Sequence, residues 1–395
     1  MSSFAGMWDD LGDVGRAPSG GYRRFAWTAE DGALREWFRG EAARRSMTVV
    51  ADRAGNLWAW DGDPDADGPG LVLGSHLDSV PDGGAFDGPL GIVSAFAAVD
   101  LLRSDGHRLE RPLGIACFAD EEGARFGVAC AGSKLLTGDL DADRARALTD
   151  ADGTTMAEAM AAAGVDPGAV GRDEEALARI GTYVELHVEQ GRWLVDGDAA
   201  VGVATGIKPH GRWRLDLRGR ADHAGTTRLE DRRDPMLALA ALVQTAREAA
   251  RRNDVVATVG KLVVRPNAVN AIPSEVTAWL DARGLPVSAV REVVAEVGAA
   301  AGVDPVEESW VPPTTFEAGL RDRVAAAAGG DAGPAPVLDT GAGHDAGILA
   351  AAGVPAAMLF VRNPTGISHS PAEHAEVDDC LAGVDALARV VRELA

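Results

Sequence analysis

Between residues 70 and 190, short runs of consecutive apolar residues alternate with a stretch whose apolar positions recur at helical spacing. LVLGSHLD, LGIACFAD and TYVELHVE read as buried strands, because apolar side chains fill adjacent positions and not every second one. Between the first two, PLGIVSAFAAVDLLRS places Ile92, Val93, Phe96, Val99 and Leu102 on one helical face, and Pro89 suits its first turn. Upstream lie a tryptophan-rich helical region at 28–45, a hairpin around Asp52–Trp60, and the turn-rich loop DGDPDADGPG. This alternation predicts an α/β domain.

The pattern changes at residue 207. RWRLDLRG alternates like a half-exposed strand, and an alanine-rich helix follows over 234–252. VVATVGKLVV and EVTAWLDAR read as strands, followed by a helix at 287–301 and a strand at 305–311. That β-α-β-β-α-β order is ferredoxin-like. The buried α/β pattern resumes with VPAAMLFVR, so an α/β domain with a mixed sheet, 1–206 and 317–395, is interrupted by an α+β insertion at 207–316. A length of 395 residues suits two domains.

Composition narrows the functional classes. A formal net charge of −22, with only three lysines among 38 basic residues, repels phosphate backbones and anionic lipid. Nucleic-acid and membrane partners are therefore not expected. No apolar run reaches the roughly 18 residues of a spanning helix. The segment MSSFAGMWDDLGDVG lacks the basic-then-apolar order of a signal peptide, which predicts a cytoplasmic protein. Cys117, Cys130 and Cys380 form no CxxC pair and read as buried thiols. GxSxG and Walker motifs are absent. GAGHDAG misses the GxGxxG spacing and is expected to lack a strand directly before it, which argues against nucleotide binding.

Histidine is scarce, with eight residues, so its placement is informative. His76 closes the first buried strand, His187 the third, and His369 follows the last; Glu121 and Glu122 directly follow the second. Open α/β sheets bind ligands beyond the carboxyl ends of their strands. A single histidine there is most often structural, and paired glutamates are usually solvated. Four strand ends delivering imidazole or carboxylate to one edge instead predict a metal site. Asp87, in the glycine-rich GGAFDGPLG, adds a carboxylate suited to bridging two cations. Asp78 is placed to accept the second ring N–H of His76.

The strings GSHLDSVPDGGAFDGPLG, DEEGARF, ELHVEQG, ADHAGTT, GAGHDA and GISHSPAEH resemble the dinuclear-metal amidohydrolase and peptidase superfamily. Within it they are most similar to the branch of N-carbamoyl-L-amino-acid hydrolases and allantoate amidohydrolases. The resemblance implies a catalytic domain carrying an inserted lid and dimerisation domain, a homodimer, and two divalent ions, zinc or manganese, with cobalt or nickel as alternatives. It implies that His76, Asp87 and His187 hold one ion, that Asp87, Glu122 and His369 hold the other, and that Glu121 is the general base. His223 would contact the reacting carbonyl from the partner subunit. Gln190, Asn270, Arg283, Gly343 and His344 would line the pocket for a small carboxylate-bearing substrate, Arg283 as its carboxylate clamp. His107, His210 and His374 remain as surface or supporting residues. The chain departs from the branch at Arg228, Leu229, Ser274, Thr340 and Asn363–Thr365, which bears on substrate and not on the ligands. The reaction expected is hydrolysis of a ureido or carbamoyl C–N bond. Its rivals are an aminoacylase or aminopeptidase activity, or a non-catalytic metal- or ligand-binding relative.

Overall fold

The computed structural model describes residues 3–395. The chain divides into two compact units, one running to Gly206 and resuming at Thr315–Ala395, the other Ile207–Thr314. The second ends two residues before the sequence-based boundary of 316. Phe316 already belongs to the large unit, where it is buried and its N–H donates to the Thr205 carbonyl.

In the large unit four parallel strands form the centre of a mixed sheet, in the order Leu113–Phe118, Gly70–His76, Ile180–Val188 and Ala356–Val361. The hairpin Thr48–Ala51 and Leu57–Asp61 joins one side antiparallel, and Val201–Ile207 joins the other. Strand alternation divides the labour between the two faces. Leu71, Leu73, Ile115, Val184, Leu186 and Leu359 enter the main core with the helices Ala29–Arg44, Pro89–Ser104, Ala318–Gly329 and Val377–Leu394. The intervening positions, His76, Glu185 and His187 among them, take the opposite side. Pro89 occupies the first turn of its helix, as its fixed φ favours.

Two regions differ from the sequence reading. Four short helices lie between 131 and 178, of which Ala131–Thr137, Ala142–Ala147 and Met156–Ala162 gather around a separate cluster that includes Trp27, Phe126, Leu135 and Met160, while Glu174–Ala178 stands outside it. None spans enough turns to register as periodicity. A strand, Val337–Thr340, does stand directly before GAGHDAG and leads to the helix Asp345–Ala351. Its four residues, with only Leu338 buried, leave no apolar run to detect.

The small unit is an antiparallel sheet in the order Val306–Val311, His210–Arg218, Glu275–Arg283 and Val256–Arg265. The helices Pro235–Arg252 and Val287–Ala301 pack on it through Leu242, Ala246, Val290, Val293 and Val297, against Leu215, Leu217, Val276 and Leu280. Asp222–His223 pairs with Ala271–Ile272 as a separate two-stranded ribbon. Among the described residues no helix is long and apolar enough to cross a membrane.

Leu280 is wholly buried in the small unit's core. Leu280→Ala is expected to cost about 2–5 kcal/mol through lost burial and the cavity left behind. Urea unfolding monitored by circular dichroism checks this, and an unchanged unfolding curve contradicts it.

Candidate metal centre

Parallel strands end on the same edge of the sheet, and the chemistry gathers there. His76 ends its strand in register with Phe118, the end of the neighbouring one. His187 is the penultimate residue of Ile180–Val188. Glu121 and Glu122 follow Phe118 through Asp120, at φ 53°, and His369 lies in the loop after Ala356–Val361, at φ 56°. Left-handed backbone at residues other than glycine is costly and concentrates where a fold must aim a side chain.

Asp87 joins them from the loop preceding Pro89–Ser104. Its Oδ1 lies 3.5 Å from His76 Nε2 and 3.2 Å from His187 Nε2, while its Oδ2 lies 3.5 Å from His369 Nε2. His369 Nε2 is in turn 3.6 Å from Glu122 Oε2. Among the described residues, His76, Asp87 and His187 form one potential ligand set and Asp87, Glu122 and His369 another, each with ligand atoms within 4.8 Å of one another. A third such group, Glu185, His187 and His344, shares His187. Gly88 permits the approach of Asp87: its φ is +86°, and a Cβ there would fall on the His76 ring.

The ring nitrogens test whether cations fit. His76 Nδ1 lies 3.2 Å from the Asp78 backbone oxygen and 3.4 Å from its Oδ1, and His187 Nδ1 lies 2.9 Å from the Val188 oxygen. Donation from Nδ1–H to these oxygens leaves the Nε2 lone pairs facing Asp87. Both Nε2 atoms are buried without an aligned hydrogen-bond partner among the described residues. Two imidazole lone pairs and a carboxylate oxygen converging without hydrogen bonds are what a shared cation resolves. The residues present fit two divalent ions.

Asp78 plays a wider part than the sequence suggested. Besides facing His76, its carboxylate accepts the backbone N–H of Glu121 at 3.2 Å and of Glu122 at 3.0 Å, fixing the turn that carries both. The Cys130 thiol, which the sequence reading treated only as a buried side chain, donates to Glu121 Oε1 at 3.3 Å. Gln190 Nε2 donates to Asp87 Oδ2 at 2.9 Å, and the Ser368 hydroxyl lies 3.1 Å from the same oxygen. His344 caps the helix Asp345–Ala351, directly after Gly343, with its ring edge-on to His187 at 4.5 Å between centroids.

Burial and crowding of like charges set the protonation of the site. Burial pushes the Glu121 carboxyl well above the ordinary range, with Asp345 and Glu122 adding to the His76-opposed rise. Burial and the Asp87 charge do the same to Glu122. In the metal-free chain burial would lower His76 and His187, but the surrounding carboxylates outweigh it and raise both towards the protonated form, whose protons stand where a cation would. These charged rings in turn outweigh the burial that would raise Asp87 and hold that carboxyl well below its usual value. His344 is driven well below the ordinary imidazole value by burial and by His187, so its ring is neutral.

His223, Asn270 and Arg283 lie in the small unit. His223 accepts the backbone N–H groups of Gly225 and Thr226 on Nδ1, at 3.0 and 3.2 Å, which leaves Nε2 to carry the proton. The Asn270 backbone oxygen accepts from Ala224, so His223 and Asn270 sit at one end of the same ribbon. Arg283 ends its strand and holds Asp281 with Nε and Nη2, at 2.6 and 2.9 Å. Of the other histidines, His374 packs edge-on to Phe86 with Nε2 3.2 Å from Glu376, and His210 Nδ1 lies 3.3 Å from the Lys208 oxygen. Sequence reasoning missed Glu373, whose Oε1 accepts the N–H groups of Phe86 and Asp87. Its only signal was its place in GISHSPAEH, since no periodicity marks it.

Residues 72–393 match the model of peptidase family M20/M25/M40. The chain belongs to that family. An N-carbamoyl-L-amino acid amidohydrolase of Geobacillus stearothermophilus is 37% identical over 397 residues, covering 98% of this chain and 96% of its own. An allantoate amidohydrolase of Escherichia coli (strain K12) is 31% identical, covering 98% of this chain and 96% of its own. A solved amidase of the hydantoinase/carbamoylase family from Burkholderia vietnamiensis matches with a TM-score of 0.88 at 29% identity, over 99% of this chain and 97% of that one. The chain is thus an amidohydrolase of a family that works with divalent metal ions.

The raised carboxyls give the metal-free chain a defined pH response. Glu121, Glu122 and Glu373, the last pushed up to about 7 by burial and the Asp87 charge, keep protons to higher pH when folded than when unfolded. Their contribution to stability is present below the ordinary glutamate value of 4.5 and is lost as pH rises through the folded values. The melting temperature of the metal-free chain should therefore fall between about pH 5 and about pH 8, and added divalent ion should raise it most at the upper end. Scanning calorimetry across that window checks this; a flat or rising metal-free profile contradicts it.

Proposed function

We propose that this protein hydrolyses the ureido C–N bond of a small carboxylate-bearing molecule, an N-carbamoyl-L-amino acid or allantoate. The observation that carries the reading is the Asp87 carboxylate, whose two oxygens face two separate ligand sets beside the buried Glu121. His76, Asp87 and His187 would hold one divalent ion and Asp87, Glu122 and His369 the other. When bound, such ions lower the pKa of water and polarise a carbonyl oxygen.

Glu121 is the proposed general base. It takes a proton from the attacking water as the C–O bond forms, then delivers it to the nitrogen as the C–N bond breaks. Burial suits it to this exchange, because it holds the Glu121 proton more firmly than a solvated glutamate would. The carbamate released from a carbamoyl substrate decomposes to carbon dioxide and ammonia. Neutral His344, with Gln190 and Gly343, is proposed to line the substrate pocket. In the small unit, His223 is proposed to donate Nε2–H to the developing oxyanion, and Asn270 and Arg283 to hold the substrate carboxylate. The relatives that act on N-carbamoyl-L-amino acids and on allantoate support this substrate class. Dimerisation through the small unit remains part of the same proposal.

Ammonia release after loading with manganese or zinc, from N-carbamoyl-L-amino acids, allantoate and N-acyl amino acids, with and without chelator, tests the reading. Chelator-sensitive release from a ureido substrate is expected. Turnover confined to acyl amides, or none at all, overturns the substrate class. Glu121→Gln should retain metal and lose about 10²–10⁴-fold in turnover. Turnover within a few-fold of the parent removes Glu121 from the role of base.

A further inference from the structure

The loops carrying Asp87 and His369 are distant in sequence, and one buried carboxylate joins them. Oε1 of Glu373 accepts the backbone N–H of Phe86 at 2.8 Å and of Asp87 at 2.9 Å, across 287 and 286 residues of chain. On the His369 side, the Ser368 hydroxyl lies 3.1 Å from Asp87 Oδ2 and 3.5 Å from Glu373 Oε2. Gly84 leaves room for this arrangement, since a Cβ there would collide with the Glu373 carboxylate.

Burying a carboxylate beside another carboxylate is unfavourable unless its hydrogen bonds return a benefit. Glu373 is 6% exposed and faces the already charged Asp87, and burial with that charge pushes its carboxyl up to about 7. A glutamate serving only to fill space in this position would be replaced without loss by a neutral side chain. What this one gains is two hydrogen bonds from the peptide N–H groups that aim Asp87.

We propose that Glu373 is a positioning residue for the metal centre. Gripping the Phe86 and Asp87 amides, it sets the tilt at which one Asp87 oxygen faces His76 and His187 and the other faces His369. Through its own loop it also keeps His369 in register with Asp87. Glu373 belongs to neither ligand set, so it acts through Asp87 and His369 and not on the substrate.

This inference rests on the metal-centre reading above. The test is manganese titration of the metal-stripped full chain by calorimetry, with elemental analysis of bound metal, for the parent, Glu373→Ala, Glu373→Gln and Gly84→Ala. The parent should bind two ions per chain. Glu373→Ala should weaken binding of at least one ion by about 10–100-fold, as loss of a group that orients a ligand typically does. At saturating manganese its kcat should fall while KM stays within a few-fold. Glu373→Gln should restore most of the binding, because an amide oxygen accepts the same two N–H groups. Gly84→Ala displaces the carboxylate without removing it and should reproduce the alanine phenotype in a chain of unchanged charge. Parent-like affinity for both ions in folded Glu373→Ala overturns the proposal, and so does loss of metal by Glu373→Gln as complete as by Glu373→Ala. If Glu373→Ala does not fold, the glutamine and Gly84→Ala variants decide by the same criteria. A parent chain that takes up no divalent ion overturns the metal-centre reading itself, an outcome distinct from two-ion uptake that Glu373 does not affect.

Discussion

One buried carboxylate is pulled in opposite directions. Burial alone would protonate Asp87, and the imidazoles of His187 and His76 prevent it. Because the group stays ionised, both its oxygens remain acceptors, and each faces a different set of neighbours. Much of the surrounding structure answers to that requirement. Gly88 removes the Cβ that would strike His76, Gln190 and Ser368 reach Oδ2, and Glu373 grips the peptide units on either side of Phe86. The opposing glutamates, Glu121 and Glu122, are driven the other way, towards the protonated form, by burial, with Asp345 and Glu122 adding to the rise of the first and Asp87 and Asp78 to that of the second. Such a crowd of carboxylates is costly in a chain already at −22, and divalent cations are the natural compensation.

The sheet allows packing and chemistry to be specified independently. In Ile180–Val188, the odd and even positions serve different masters: Val184, Leu186 and Val188 belong to the main core, while Glu185 and His187 take the other face. The first strand repeats this with Leu71 and Leu73 against His76. Parallel pairing then brings the ends of these strands to one edge without any need for the loops to find each other. Beneath that edge the polar face is itself bonded: Ser75 and the backbone N–H of Ala346 reach Glu185, and Ser133 reaches Asp345. A first layer built on rigid strands and braced by such contacts keeps its geometry with little reorganisation.

How far the sequence could be read follows from the range of each signal. The long periodic elements were legible: the helix Pro89–Ser104, the central strands, and the β-α-β-β-α-β order of the small unit all announce themselves through spacing within one segment. The gathering of imidazoles and carboxylates at one sheet edge was legible because histidine is rare and its strand-end placement repeats, whereas their division into two sets was implied only by the family resemblance. Short helices between 131 and 178 were not, being five to seven residues long, although the Thr155–Glu158 capping box was a local sign of one of them. The strand Val337–Thr340 escaped because it buries a single side chain. Asp78 and Glu373 mattered more than expected because their work is done on backbone amides far away in the chain, and a backbone amide has no letter in the sequence. Cys130 escaped for a similar reason: its contact with Glu121 follows from how a loop folds back, and nothing in a lone apolar-flanked cysteine reveals it.

The departures from the branch pattern can be sorted by the same logic. Leu229 is 80% exposed, and Arg228 stands beside it at the start of a single 3-10 turn, so neither packs into a core. Asn363 is different. It is wholly buried, its Oδ1 accepts the N–H groups of Thr365 and Gly366 and the Thr365 hydroxyl, and its Nδ2 donates to the Ile367 oxygen. Both polar atoms of that side chain are therefore bonded within the loop. The loop so fixed runs straight into Ser368 and His369, which must present a ring held at a left-handed φ to the shared carboxylate. A substitution that looks like a specificity change in the sequence thus acts, in the folded chain, as a brace for the loop that carries His369. Changes that alter which substrate fits are to be sought among side chains that keep a free polar atom or a bare apolar face.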